Sequence, residues 1–196
     1  MPVQIGIGAH DFSHPTGLLS DCHRRIEMFL NSLEAVGNVI DHPATDETRR
    51  VLTSALRYFR ESAPKHTADE EESLFPRLRE VDDAEAQSAL RKLDQLEKDH
   101  EAANVLHAEV ERLGQLYLSQ GSLSTADAAD FGKAIASLQA LYRPHISIED
   151  QMIFPIAARV LGESDQAMIG EEMAARRRGI KSTTDNASPI GGVKPF

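Results

Sequence analysis

Apolar residues at Leu90, Leu93, Leu96, Ala103, Leu106, Val110 and Leu113 recur at intervals of three, four and seven through a stretch rich in Glu, Lys, Gln and Arg. That spacing lines one face of an α-helix. It predicts a helix that starts at Asp82 or Asp83 and continues to Tyr117 or beyond. Similar patterning predicts three further long helices. Pro15-Thr-Gly opens the first, which runs to about Val39 before the turn Asp41-His42-Pro43. Thr45 or Asp46 caps another, which Pro64 should kink before it ends near Arg79. The last follows the turn Gly121-Ser-Leu-Ser124 and runs from about Thr125 to Leu161. A short fifth helix starts around Gly162-Glu-Ser164-Asp165 and ends near Arg178. Runs rich in Val, Ile, Thr and aromatics are few, so strands are not expected. The predicted fold is all-α: an up-down four-helix bundle over residues 1–162, a C-terminal helix over 163–180, and a flexible tail over 181–196. The tail is rich in Gly, Pro and small polar residues, a composition that favours disorder.

Two of these helices carry the same motif. His66-Thr-Ala-Asp-Glu70-Glu-Glu-Ser-Leu-Phe75-Pro76 returns as His145-Ile-Ser-Ile-Glu149-Asp-Gln-Met-Ile-Phe154-Pro155, with His, Glu, Phe and Pro in register. Residues four apart on a helix lie roughly 6 Å apart along the axis and ~40° apart around it, so each His and its Glu share a face. Such a pair can grip a metal ion. His23 and His100, each with Leu four positions earlier, fall at matching distances before the two motifs. Two helix pairs joined in tandem would bring four imidazoles and two carboxylates to the centre of a bundle, enough for two ions.

A solvated i,i+4 pair is the ordinary alternative for either motif alone, contributing only tenths of a kcal/mol. The repeat argues against it. Ile146, Ile148, Ile153 and Phe154 also make the second copy apolar, and burying an ionisable pair without a partner is costly. Mixed nitrogen and oxygen ligation suits iron, manganese or zinc and does not suit copper(I) or iron–sulfur chemistry. Six ligands for two ions leave coordination positions open to O2, peroxide, NO or water.

Composition narrows the partners. A length of 196 residues with 41% hydrophobic content supports one domain with a substantial core. The formal charge of −10 opposes approach to nucleic acid or anionic lipid. No run of eighteen apolar residues is present, and the amino terminus lacks the features of a secretory signal. With a single cysteine, Cys22, an intramolecular disulfide is impossible, and a cytoplasmic location is expected. Arg176-Arg177-Arg178 reads as a helix end complementing the dipole. No glycine-rich phosphate loop or G-x-S-x-G nucleophile motif occurs.

His23, His66-xxx-Glu70, His100 and His145-xxx-Glu149, with their Leu-Phe-Pro and Ile-Phe-Pro followers, resemble the hemerythrin-like HHE cation-binding domain over roughly residues 10 to 160. The segment Glu171-Glu-Met-Ala-Ala-Arg-Arg is also similar to bacterial members. The resemblance implies a bundle of the hemerythrin type around two non-haem Fe ions with oxo or hydroxo and carboxylate bridges, and favours iron over zinc or manganese. It implies that His23, His66, His100 and His145 are terminal ligands and that Glu70 and Glu149 are the bridges.

The chain departs from the oxygen-carrying hemerythrins in two places. Their third helix supplies two His four residues apart, whereas the position four beyond His100 here is Asn104. They also place the last carboxylate five residues beyond its His, where this chain has Asp150, yet Glu149 fits the internal repeat better. Losing an imidazole leaves the centre more open, which favours sensing, storage or detoxification over oxygen carriage. Turnover of peroxide or NO is the enzymatic alternative, and a helical interaction module stapled by metal is the structural one; a protein partner is compatible with either. Glu27, His107 and Tyr142 are further candidates for the pocket. Each has an ordinary alternative: a surface ion pair, an exposed imidazole and a core side chain respectively. His10, His14 and His42 read as surface residues, and Cys22 as a small buried side chain.

Overall fold

A computed structural model describes residues 10–179. The tail over 181–196 lies outside the described residues. Every regular element among those described is helical: α1 Pro15–Gly37, α2 Asp46–Glu61, α3 Ala63–Asp69, α4 Phe75–Glu80, α5 Ala84–Gln120, α6 Thr125–Ile148, α7 Phe154–Val160 and α8 Glu163–Arg178. None of these helices is long and apolar enough to cross a membrane.

Local chemistry sets the boundaries. The Thr45 hydroxyl accepts from the backbone N–H of Thr48, whose own hydroxyl accepts in return from the Thr45 N–H, closing a reciprocal cap on α2. Asp83 caps α5 by accepting from the N–H groups of Glu85 and Ala86, and Ser124 caps α6 by accepting from Asp127. Gly121 ends α5 at a φ of 86°, a left-handed conformation that glycine adopts without a Cβ clash. The break between α2 and α3 falls at Ser62, two residues before Pro64, because a proline ring crowds the preceding turn.

Short π-helical turns at Glu70–Leu74 and Glu149–Ile153 separate α3 from α4 and α6 from α7. In each, the amide five residues beyond the motif Glu closes the turn: Phe75 donates to the Glu70 carbonyl and Phe154 to that of Glu149. Pro76 and Pro155 follow directly. Each lacks an N–H, and its ring crowds the carbonyl four residues back, so the widened turn relieves a strain that the Phe-Pro pair imposes. The extra residue lets Glu70, Ser73, Leu74 and Phe75 all be buried.

Helix α1 packs on α2 and α6, α5 packs along α6, and α2 also meets α5. Helix α8 lies against α1, α3 and the first π turn. The buried apolar side chains form two clusters. One includes Ile26, Leu33, Leu56, Leu113, Phe131 and Leu138, and the other Leu19, Phe75, Leu93, Leu96, Ile153 and Met173. Along each long helix the change from one cluster to the other falls at the same level. His23 comes between Leu19 and Ile26, and His100 between Leu96 and Ala103. Each HxxxE motif likewise separates the two clusters. A polar layer therefore crosses an otherwise apolar interior.

Candidate metal centre

His23, His66, Glu70, His100, His145 and Glu149 are all buried, with Glu70 and Glu149 fully enclosed. They form two groups, His23–His66–Glu70 and His100–His145–Glu149, within each of which one donor atom per residue lies within 4.8 Å of the others. The grouping follows the tandem repeat. In the first, His66 Nε2 is 3.3 Å from Glu70 Oε1. In the second, His145 Nε2 is 3.1 Å from Glu149 Oε2. Both carboxylates also face the other group: Glu149 Oε2 is 3.1 Å from His23 Nε2, and Glu70 Oε2 is 3.5 Å from His100 Nε2. The Nε2 atoms of His100 and His145 approach to 3.1 Å. Phe154, from the repeated Phe-Pro pair, stacks on the His23 ring with centroids 5.3 Å apart.

Outward nitrogens are held by carboxylates that the sequence reading did not assign to this role. Asp150 lies 2.9 Å from His23 Nδ1, Glu71 lies 2.8 Å from His100 Nδ1, and Asp99 lies 3.4 Å from His145 Nδ1. Asp150 is fixed in turn by Ser20 and Arg24. Asp150 is thus spent on the far side of His23, while Glu149 occupies the shared interior. A signal for this was present: each motif Glu is followed directly by another acid, Glu71 or Asp150, in register.

The donor set fits cations. A carboxylate on Nδ1 fixes the neutral imidazole as Nδ1–H and turns the Nε2 lone pair inward. That lone pair then meets a carboxylate oxygen or another Nε2 at just over 3 Å, an arrangement that repels unless a positive charge lies between. His23 Nε2 and all four carboxylate oxygens of Glu70 and Glu149 are buried without a hydrogen-bond partner. So many orphaned acceptors in one dry layer are costly unless metal ions satisfy them.

Titration reflects the same crowding. Burial, then the neighbouring Glu149 carboxylate, pushes Glu70 well above the usual range. Burial would also raise Glu149, but the adjoining His145 and His23 imidazoles outweigh it and hold that carboxyl low. Burial holds His66 well below its usual value. Burial opposes protonation of His23, yet Asp150 and Glu149 outweigh it and raise the imidazole.

The remaining candidates lie elsewhere. Asn104 is exposed. Glu27 is half-exposed at the surface, 3.8 Å from Arg24. His107 Nε2 pairs with the Tyr142 hydroxyl at 3.0 Å and stacks on Phe59. Tyr142 is buried, its ring centroid 6.1 Å from that of His145. His10, His14 and His42 are exposed, and Cys22 is buried. Arg176 and Arg177 do more than complete a helix end: they hold the fully buried Asp69, next to Glu70, at 2.9 and 2.8 Å.

The pattern that defines the hemerythrin HHE cation binding domain matches residues 14–157. A protein of Haemophilus influenzae (strain ATCC 51907 / DSM 11121 / KW20 / Rd), described as an uncharacterized protein, is 28% identical over 170 residues, covering 85% of this chain and 92% of its own length. The matched span contains both HxxxE motifs, His23 and His100 together with the residues that orient them, and the chain belongs to the hemerythrin HHE cation-binding domain family.

Proposed function

We propose that the protein is a non-haem di-iron protein of the hemerythrin type that binds O2 or a related small ligand, peroxide or NO, for sensing, storage or detoxification. His23, His66 and Glu70 would hold one iron and His100, His145 and Glu149 the other. Glu70 and Glu149 would bridge. The observation that carries this reading is the buried layer in which four imidazole Nε2 atoms and two unsatisfied carboxylates face one another. When bound, an iron pair supplies open coordination positions and redox equivalents for a small ligand. The chain's own contribution is to fix the imidazole tautomers through Asp150, Glu71 and Asp99, to exclude water with apolar clusters on both sides, and to keep Asn104 out of the ligand set. We read the long helical elements as an up-down four-helix bundle over residues 1–162 with a C-terminal helix over 163–180, located in the cytoplasm.

Metal analysis of protein expressed with ample iron tests this reading. The expected result is two irons per chain and a near-ultraviolet absorption band that disappears in the His66→Ala, His145→Ala double variant. No bound metal, or stoichiometric zinc under iron-replete expression, would overturn it.

A further inference from the structure

Three of the four central imidazoles have a carboxylate on Nδ1, and the fourth has none. His66 Nδ1 is buried without a partner. The tandem repeat explains the gap, because Asp99, which serves His145, directly precedes His100, and the residue directly preceding His23 is Cys22. Where one half of the molecule supplies a carboxylate, the other supplies a cysteine side chain.

A cavity of about 600 Å³ is lined by both Cys22 and His66, within the range of small-molecule sites. On a chain of net charge −10, its wall carries four cations, Arg25, Arg57, Lys65 and Arg177, against the single carboxylate of Glu61. Arg177 is engaged by Asp69, and Arg25 donates to the Cys22 sulfur at 3.0 Å. Arg57 and Lys65 make no ion pair among the described residues. Met28, Phe29 and Val51 give the same cavity an apolar side.

We propose that this cavity binds a small amphipathic carboxylate, whose head group accepts the Nδ1–H of His66 and so supplies from outside the partner that Asp99 provides for His145. The surrounding cations attract the head group, and the apolar wall takes a short hydrocarbon tail. Occupancy would orient His66 in the way the chain orients the other three imidazoles. This inference rests on the reading of His66 as a ligand through Nε2, and makes the ligand of the cavity a part of the centre.

Calorimetric titration of the purified, metal-loaded protein with octanoate tests it, with octanol as the uncharged tail and phosphate as the charge alone. We expect one octanoate per chain, bound at least tenfold more tightly than octanol or phosphate. Ser54→Trp, which fills the cavity from an exposed lining position, and Arg57→Gln with Lys65→Gln, which removes the two uncommitted cations, each weaken octanoate at least tenfold while the thermal melt stays intact. Cys22→Asp weakens it as well, because the new carboxylate competes for Nδ1. Octanoate binding no tighter than that of octanol or phosphate overturns the proposal. So does unchanged affinity in the Arg57→Gln, Lys65→Gln protein, whose exposed and half-buried positions keep that variant folded. Metal content measured on the same samples separates the two readings: two metals without octanoate binding sinks the cavity proposal alone, and absence of metal sinks the di-iron reading.

Discussion

Nδ1 of His23 lies 2.9 Å from the Asp150 carboxylate, 127 positions further along the chain. Its counterpart is the 2.8 Å pair between His100 Nδ1 and Glu71. In each case the acid following a motif Glu crosses to the lone His of the other half, so that neither half of the repeat is complete alone.

Asp150→Asn should therefore loosen the metal without unfolding the bundle. Loss of a carboxylate behind a ligating imidazole typically lowers metal affinity by about 10–100-fold. Competition against a chelator at fixed pH would measure it, with the thermal melt of the metal-free protein as control. An unchanged chelator midpoint would show that Asp150 does not orient His23.

Removing opposite sides of the Asp69 pair should have unequal costs. Asp69 is fully buried, whereas the side chains of Arg176 and Arg177 keep 16% and 28% of their exposure. Stripping the two guanidiniums leaves an uncompensated interior charge, worth about 3–5 kcal/mol. Asp69→Ala instead leaves cations that can turn to water, so its cost should be smaller. Urea unfolding of Arg176→Gln, Arg177→Gln beside Asp69→Ala checks the order, and the reverse order would refute the account.

His107 should make the fold acid-sensitive. Burial lowers its pKa to about 4, against about 6.5 in an unfolded chain. The folded state thus resists a proton that the unfolded state accepts. Stability is full above about pH 6.5 and falls as the pH drops to about 4, by at most about 3 kcal/mol. In His107→Gln this part of the pH dependence should vanish. Parallel slopes for both proteins between those pH values would contradict it.

Two glycines inside helices should respond to alanine with opposite signs. Gly132 in α6 has nothing within 4 Å of an added Cβ, so Gly132→Ala should stabilise by about 0.5–1 kcal/mol. A Cβ on Gly170 would sit 2.0 Å from the Phe12 carbonyl oxygen. Backbone cannot yield as a side-chain tip does, so Gly170→Ala should destabilise by about 1–3 kcal/mol despite its better helix propensity. Chemical denaturation of both variants reads the two signs.

The all-helical class and the identities of the six central residues were legible in the linear pattern, because helix periodicity is local and the tandem motif repeats it in register. His23, His66, Glu70, His100, His145 and Glu149 share an interior layer since each falls where one apolar stripe gives way to the next. The π turns were foreshadowed only by Pro76 and Pro155; whether a proline kinks a helix or widens one turn depends on what its neighbours must bury. The internal repeat already favoured Glu149 over Asp150 as the inward acid, a difference of about 100° of helix rotation, but only packing showed that Asp150 turns to the outer nitrogen of His23. The buried Asp69 clamp, the unpartnered Nδ1 of His66 and the cationic cavity beside Cys22 join residues from helices far apart in the chain. No local periodicity encodes such meetings, so tertiary structure alone determined them.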